Sequence, residues 1–188
     1  MAECDAVCEH LHFPVQSGSN SCLRRMKRAY SRESYLEKVA MAREFVPGLA
    51  LTTDLIVGFP GETDGEFEDT MSLVSDVRYD SAYTFQYSRR PGTAASDMEN
   101  QVPKAVVQER FDRLVAAQER ISLECNEELI GRTVELTIER IVSREDATQA
   151  TGRTRTNKLV HVAANGYVPG DVARVRIREA ASHYLLAG

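Results

Sequence analysis

The sequence predicts an α/β module followed by a small all-β barrel. Up to about residue 128, strand-like and helix-like segments alternate three times over, which is the grammar of a parallel α/β sheet or barrel. After Gly131 the texture changes to five short β-rich segments in fewer than 60 residues, which suggests a barrel of oligonucleotide-binding type. Charge breaks at the same place: the net −5 of the 188 residues divides into +3 over residues 129–188 and −8 over the rest. The expected modules are therefore residues 1–128 and 129–188. A basic second module suits a polyanionic partner, and the acidic first does not.

The first strand is read over Glu9–Gln16, where Leu11, Phe13 and Val15 alternate with polar residues until Pro14 interrupts pairing. A tight polar turn, SGSNS, leads into a short basic helix over Leu23–Arg28. A second helix starts at Ser31 as N-cap, sets Tyr35, Val39, Ala42 and Val46 on one stripe, and ends at Pro47-Gly48. Ala50–Val57 is β-branched and nearly continuously apolar, as a strand covered on both faces should be. The turn GFPGET closes on Thr63, which with Glu66 forms a capping box, and Phe67, Thr70, Met71, Val74 and Val77 make the next helical face. A third strand, Ser81–Tyr87, runs into a loop long enough to carry function. Pro103 suits a helix N1 position; the long helix that follows has Val107, Phe111, Leu114, Gln118, Ile121 and Cys125 in its seam and Gly131 as its stop. The barrel strands are TVELTIERI, GRTR, KLVHVA, DVARVRI and HYLLA, with turns at Asn165-Gly166 and Pro169-Gly170. Three strand-helix units are few: an eight-fold barrel takes about 250 residues. Either the fold is unusually small or strands from elsewhere complete it.

Composition narrows the class. No apolar run approaches the roughly 20 residues of a bilayer span, and MAECDAVCEH lacks the basic flank and apolar block of a signal peptide, so a cytosolic location is expected. Four Cys are too sparse for a disulfide scaffold. Cys4 and Cys8 are spaced i, i+4 with no third Cys following, which reads as incidental thiols rather than a metal site.

Four stretches can carry chemistry. HFPVQSGS (His12 to Ser19), at the end of a strand, offers hydrogen-bond donors and close backbone approach to a polar cofactor, but on spacing alone it reads first as a polar turn whose hydroxyls cap the next helix. His10 and His12 read as a hydrogen-bonded pair rather than metal ligands. TDLIVGFPGET (Thr53 to Thr63) has Gly58 and Gly61 for a sharp turn beside a ligand and Asp54 near the ligand-facing end; without a Walker Lys, nucleoside triphosphate hydrolysis is not expected. In QYSRRPGTAA, Arg89 and Arg90 beside Tyr83, Phe85 and Tyr87 suit an anionic or planar group, the alternative being surface arginines on a flexible loop. GRTRTNKLVHV interleaves Arg153, Arg155 and Lys158 with Asn157 and His161, charge for phosphates and polar groups for sugar and base edges.

Taken in order, HFPVQSGS with MKRAYSRESY, TDLIVGFPGET, TFQYSRRPGTAA with QVPKAVVQERFDRLVAAQE, and GRTRTNKLVHV resemble the C-terminal half of a radical S-adenosylmethionine (SAM) methylthiotransferase, closer to the branch that modifies tRNA than to the one that modifies a ribosomal protein. The resemblance implies the last part of a partial (βα) radical-SAM barrel and a TRAM RNA-binding domain. It also implies S-adenosyl-L-methionine and two 4Fe-4S clusters as cofactors. The activity implied is addition of a 2-methylthio group to N6-isopentenyladenosine next to the anticodon. The cluster ligands of that family, one CxxxCxxC set and three further Cys, are absent from this chain, so inactivity alone is expected and no catalytic or metal-ligating residue is assigned. By the same resemblance Gln16, Ser17, Arg28, Asp54, Ile56 and Gly58 approach SAM, and Tyr87 and Arg90 face substrate. Arg132, Arg153, Arg155, Asn157, Lys158 and His161 bind RNA. The implied partners are a tRNA anticodon stem-loop and an electron donor, with no membrane and a monomeric, cytoplasmic protein. The alternatives are a non-catalytic RNA-binding protein whose half-barrel is a remnant, or a methylthiotransferase for a ribosomal-protein aspartate.

Overall fold

Strand β1 is limited to His10–His12, because Pro14 has no N–H to give a ladder. Beyond it only Gln16 rejoins the sheet, through an isolated parallel bridge to Leu55. In this computed structural model, which describes residues 1–144 and 147–188, helix α1 (Asn20–Arg25) begins three residues before the position expected from sequence. Ser31 caps helix α2 (Arg32–Phe45), its hydroxyl accepting from the Ser34 N–H at 3.2 Å. Strand β2 is Ala50–Val57, as read. Helix α3 (Asp64–Val77) starts at the Thr63–Glu66 capping box, with both reciprocal bonds formed. Its buried face carries Leu73 where Met71 was expected, beside Phe67, Thr70, Val74 and Val77. Strand β3 (Ser81–Gln86) lies parallel to β2, and the sheet order is β1-β2-β3. A 3-10 turn at Ala94–Asp97 interrupts the long loop. Helix α4 runs Lys104–Glu127, and Pro103 stands just before it, its carbonyl accepting from the Val107 N–H at 3.0 Å.

Two compact units result. One comprises residues 12–45 and 51–118. Its core is built from Leu23, Tyr35, Leu51, Leu55, Phe67, Leu73 and Leu114, each at most 2 % exposed. The Tyr35 hydroxyl donates to Phe13 O at 2.8 Å and accepts from the Tyr79 hydroxyl at 3.0 Å, so these buried phenols are satisfied.

The other unit comprises residues 1–11, 46–50 and 119–188. Strands β4 (Thr133–Arg144), β5 (Ala147–Thr154), β6 (Leu159–Ala163), β7 (Val172–Ala180) and β8 (Leu185–Ala187) close a barrel in the order β4-β5-β6-β8-β7. Alternation of side chains puts Leu136, Ile138, Val160, Val162, Val175, Ile177 and Leu185 inside. Closure removes the free edges that an open five-stranded sheet would expose. At Gly152 the backbone of β4 leaves no room for a side chain, since an added Cβ would collide with Thr137 O.

Candidate functional site

Period-two alternation along β2 turns Thr53, Leu55 and Val57 into the core and leaves Thr52, Asp54 and Ile56 on the opposite face. The parallel register sets Asp54 beside Tyr83 and Ile56 beside Phe85, and these two aromatics are 62 % and 50 % exposed. His12 completes the face. Its Nδ1 lies 3.0 Å from Thr52 Oγ1, its Nε2 lies 3.4 Å from Asp54 Oδ1, and its ring meets Tyr83 edge-on at 6.0 Å. His12 thus lies between Thr52 and Asp54. This face joins a carboxylate, an imidazole, a β-branched side chain and two exposed rings, the mixture that suits a planar base with a hydroxyl-bearing sugar.

Around this face the residues expected at SAM fall into two groups. Gln16, in the left-handed region at φ +69°, gives its N–H to Asp54 O and accepts from the Ile56 N–H, both at 2.9 Å, so its backbone is part of the sheet. Asp54 and Ile56 look onto the open face, and Arg28 is exposed beyond α1. Ser17 is 1 % exposed, its hydroxyl 3.4 Å from that of Thr70 and accepting from the Ser19 N–H. Gly18 N–H donates to Thr70 as well, so the SGS turn is tied to α3. Gly58, at φ +73°, gives its N–H to both Glu62 carboxylate oxygens at 3.2 Å. A resident carboxylate therefore occupies the donor that the glycine turn would offer to an anion. Of the six, Ser17 and Gly58 act within the protein.

Glu62 is held in turn by Arg110, whose Nη1 donates to its carboxylate at 2.7 Å while Nη2 reaches Asp64 at 2.7 Å. Burial pushes the Glu62 carboxyl above its ordinary range, although the Gly58 N–H and Arg110 oppose this. Sequence reading passed over both residues. The available signal was a charged residue three positions after Val107, on the buried side of α4.

Tyr87 gives its N–H to Val57 O at 2.8 Å and sets its ring edge-on to Phe59 at 5.3 Å; its hydroxyl is buried with no hydrogen-bond partner among the described residues. Arg89 is a pin of the loop, with Nε donating to Ser96 O at 2.7 Å, while Arg90 is exposed. Iron–sulfur clusters take Cys thiolates. Here Cys4 and Cys8 are exposed, Cys22 is buried and Cys125 half-buried, and no group of three or more metal-ligating side chains exists among the described residues. The residues present do not fit a cluster.

On the barrel, a groove of about 480 Å³ runs past Cys8, His10, Arg153, Thr154, Arg155 and Asn157. Asn157 makes the β5–β6 turn at φ +61°, and Arg153 donates to its carbonyl at 2.9 Å. The Arg155 fork is already filled: Nε and Nη2 meet the Glu9 carboxylate at 2.8 and 2.7 Å. That bidentate pair lowers the Glu9 carboxyl below its ordinary range. Lys158 Nζ donates to the buried Asn126 side chain at 2.9 Å. His161 lies 3.1 Å from Thr151 Oγ1 and edge-on to Tyr184 at 5.3 Å. Arg132 is exposed. Arg153 also lies 3.7 Å from the Glu139 carboxylate, so of the six residues expected at RNA, four (Arg153, Arg155, Lys158 and His161) are engaged within their own unit.

The radical SAM superfamily matches residues 1–74 and the TRAM domain matches residues 127–188. Over 193 aligned residues the chain is 52 % identical to tRNA-2-methylthio-N(6)-dimethylallyladenosine synthase 1 of Mycobacterium marinum, covering 100 % of this chain and 36 % of that protein. It is 53 % identical to the synthase of Leifsonia xyli subsp. xyli over 193 residues, with the same coverage. Coproporphyrinogen III oxidase from Escherichia coli, described as a radical SAM enzyme, aligns with a TM-score of 0.48 at 16 % identity, covering 78 % of this chain and 41 % of that one. The chain thus spans a little over a third of the length of these synthases, and it resembles the C-terminal portion of the radical SAM methylthiotransferases over its whole length.

Proposed function

We propose that this chain forms the SAM-facing and RNA-anchoring part of a tRNA methylthiotransferase that adds a 2-methylthio group to N6-isopentenyladenosine next to the anticodon. The observation that carries this reading is identity of about one half across both modules at once, with synthases named for that product. SAM, when bound to a reduced 4Fe-4S cluster in proteins of this kind, supplies a radical for hydrogen abstraction. The residues of this chain do not fit a cluster, so that chemistry falls to polypeptide beyond these 188 residues and to an electron donor. The described residues hold no helix long and apolar enough to cross a membrane; on this reading the protein works in the cytoplasm with its tRNA substrate.

In this reading the open sheet face binds the nucleoside part of SAM. Ile56 and Phe85 lie against the base, and the Asp54 carboxylate, steadied by His12, accepts from ribose hydroxyls. Gln16, Ser17 and Gly58 shape the turns around it, Arg28 meets the SAM carboxylate, and Tyr87 and Arg90 stand on the substrate side. The barrel, as residues 129–188, holds the anticodon stem-loop, and the protein works as a monomer. Two measurements test the reading. After reconstitution with iron and sulfide the chain alone should give no stable cluster absorbance and no SAM cleavage. It should still bind tRNA in a salt-dependent manner. Cluster formation with SAM cleavage, or failure to bind tRNA at low salt, overturns it.

A further inference from the structure

The outward face of β7 is a row of arginines. Arg174, Arg176 and Arg178 are exposed and alternate with the buried Ala173, Val175 and Ile177. Two strand residues advance about 7 Å, a step comparable with the spacing of successive phosphates along a nucleic-acid strand. None of the three forms an ion pair with an Asp or Glu side chain among the described residues. Arg176 spends one N–H, its Nε, on the Gly131 carbonyl at 3.1 Å, and Arg178 spends its Nε on the backbone oxygen of the last residue, Gly188, at 2.9 Å. Such a bond fixes the direction of a guanidinium and leaves its Nη donors for a ligand. Arg132 lies alongside, its carbonyl accepting from the Ile177 N–H at 3.0 Å. Glu135 is the cross-strand neighbour of Arg174, but it also interacts electrostatically with Arg155.

We infer that this β7 row, rather than the GRTRTNKLVH strand, is the surface that tracks the RNA phosphate backbone. The contrast with the groove decides it: there the Arg155 fork is filled by Glu9, Arg153 is held by Asn157 O and lies 3.7 Å from Glu139, Lys158 is turned to Asn126 and His161 to Thr151, whereas on β7 three guanidiniums stand in register with no Asp or Glu side chain paired to them among the described residues. The inference rests on the RNA-binding reading of the barrel and names the face that does the binding. Phosphate contacts of this kind set affinity and salt dependence and carry no sequence information.

The test uses the full chain and an RNA stem-loop, with Kd measured at several salt concentrations. Removing three phosphate contacts lowers the salt slope by about 2 to 3, so between about 50 and 200 mM salt the wild type should lose roughly 20 to 40 times more affinity than Arg174→Gln/Arg176→Gln/Arg178→Gln. The corresponding Lys triple variant should keep the wild-type slope. Arg174→Gln alone, which removes no structural bond, should lower the slope by about 0.7 to 0.9 and keeps the test valid should the triple variant misfold. RNA binding with an unchanged slope in Arg174→Gln and in the folded triple variant overturns this surface and spares the RNA reading. No RNA binding by the wild type at low salt overturns both.

Discussion

Replacing Arg110 by Met tests the buried ion pair that closes the glycine turn. The Arg110 and Glu62 side chains are 4 % and 2 % exposed, and Arg110 makes three hydrogen bonds, to Glu62 O at 3.1 Å, to the Glu62 carboxylate at 2.7 Å and to Asp64 at 2.7 Å. It also sits 5.7 Å from the Phe67 ring centroid. Met keeps most of the volume and, among the described residues, leaves the Glu62 charge with only the Gly58 N–H as donor. Breaking a buried pair from one side costs about 3 to 5 kcal/mol, because the remaining charge is uncompensated. The exchange rate of the Ile56 amide, bonded to Gln16 O at 2.9 Å, reports on this unit. If that amide exchanges through opening of the unit, it should accelerate by about two to three and a half powers of ten at neutral pH. The loss should shrink in acid. A carboxyl raised in the folded state binds its proton more tightly there than in the unfolded chain, so its ionisation subtracts stability as pH rises above the unfolded value of about 4.3. Removing Arg110 raises it further and extends that window upward. The double variant Arg110→Met/Glu62→Leu should recover most of the loss, since apolar replacement of a buried pair is often neutral. A loss below about 1 kcal/mol, or a double variant as unstable as the single, refutes the argument.

Glu66 offers the opposite pH dependence. Burial alone would raise its carboxyl, but bonds from Arg25, Ser21 and the Thr63 N–H hold it down to about 2. It therefore contributes about 3 kcal/mol that is complete above the unfolded pKa and lost as pH falls towards 2; in acid titration followed by circular dichroism, Glu66→Gln should show a correspondingly shallower loss over that range. Gly58→Ala should destabilise by about 2 to 4 kcal/mol in urea titrations, from its φ of +73° and a Cβ only 2.5 Å from Val107 Cγ2, with Val107→Ala relieving the clash alone. Burial pushes the Cys22 thiol up to about 11, so a thiol reagent at mild alkaline pH should label exposed Cys4 and Cys8 at once and Cys22 only after unfolding. Arg155→Ala should change the salt slope of RNA binding by less than about half a unit, its fork being held by Glu9.

Local signals were legible in the sequence wherever a short segment settles its own structure. The Thr63–Glu66 box, the β-branched run of β2 and the alternation of β4, β6 and β7 needed only neighbours within a few residues. Pairings between distant segments were not legible. Glu9 and Arg155 meet across 146 positions, and nothing in GRTRTNKLVH says that its second arginine is taken. Burial of Leu73 in place of Met71 turns on about a third of one residue's helical rotation, which the packing partner sets. The β7 arginines were counted as charge but not read as a site, because DVARVRI alone does not show which side chains find partners.

Strand β3 has a further consequence for the nascent chain. SAYTFQY is uncharged, rich in residues that favour extended structure, and ends the sheet as an edge, with Tyr83 and Phe85 uncovered. Such a segment is a template for pairing with another copy of itself. Arg78 and Asp80 stand on one side of it and Arg89 and Arg90 on the other. Charges placed at both ends of an unavoidable hydrophobic strand act as gatekeepers, since stacking identical copies would stack like charges. Arg90 thus helps keep each strand single while the chain is still folding.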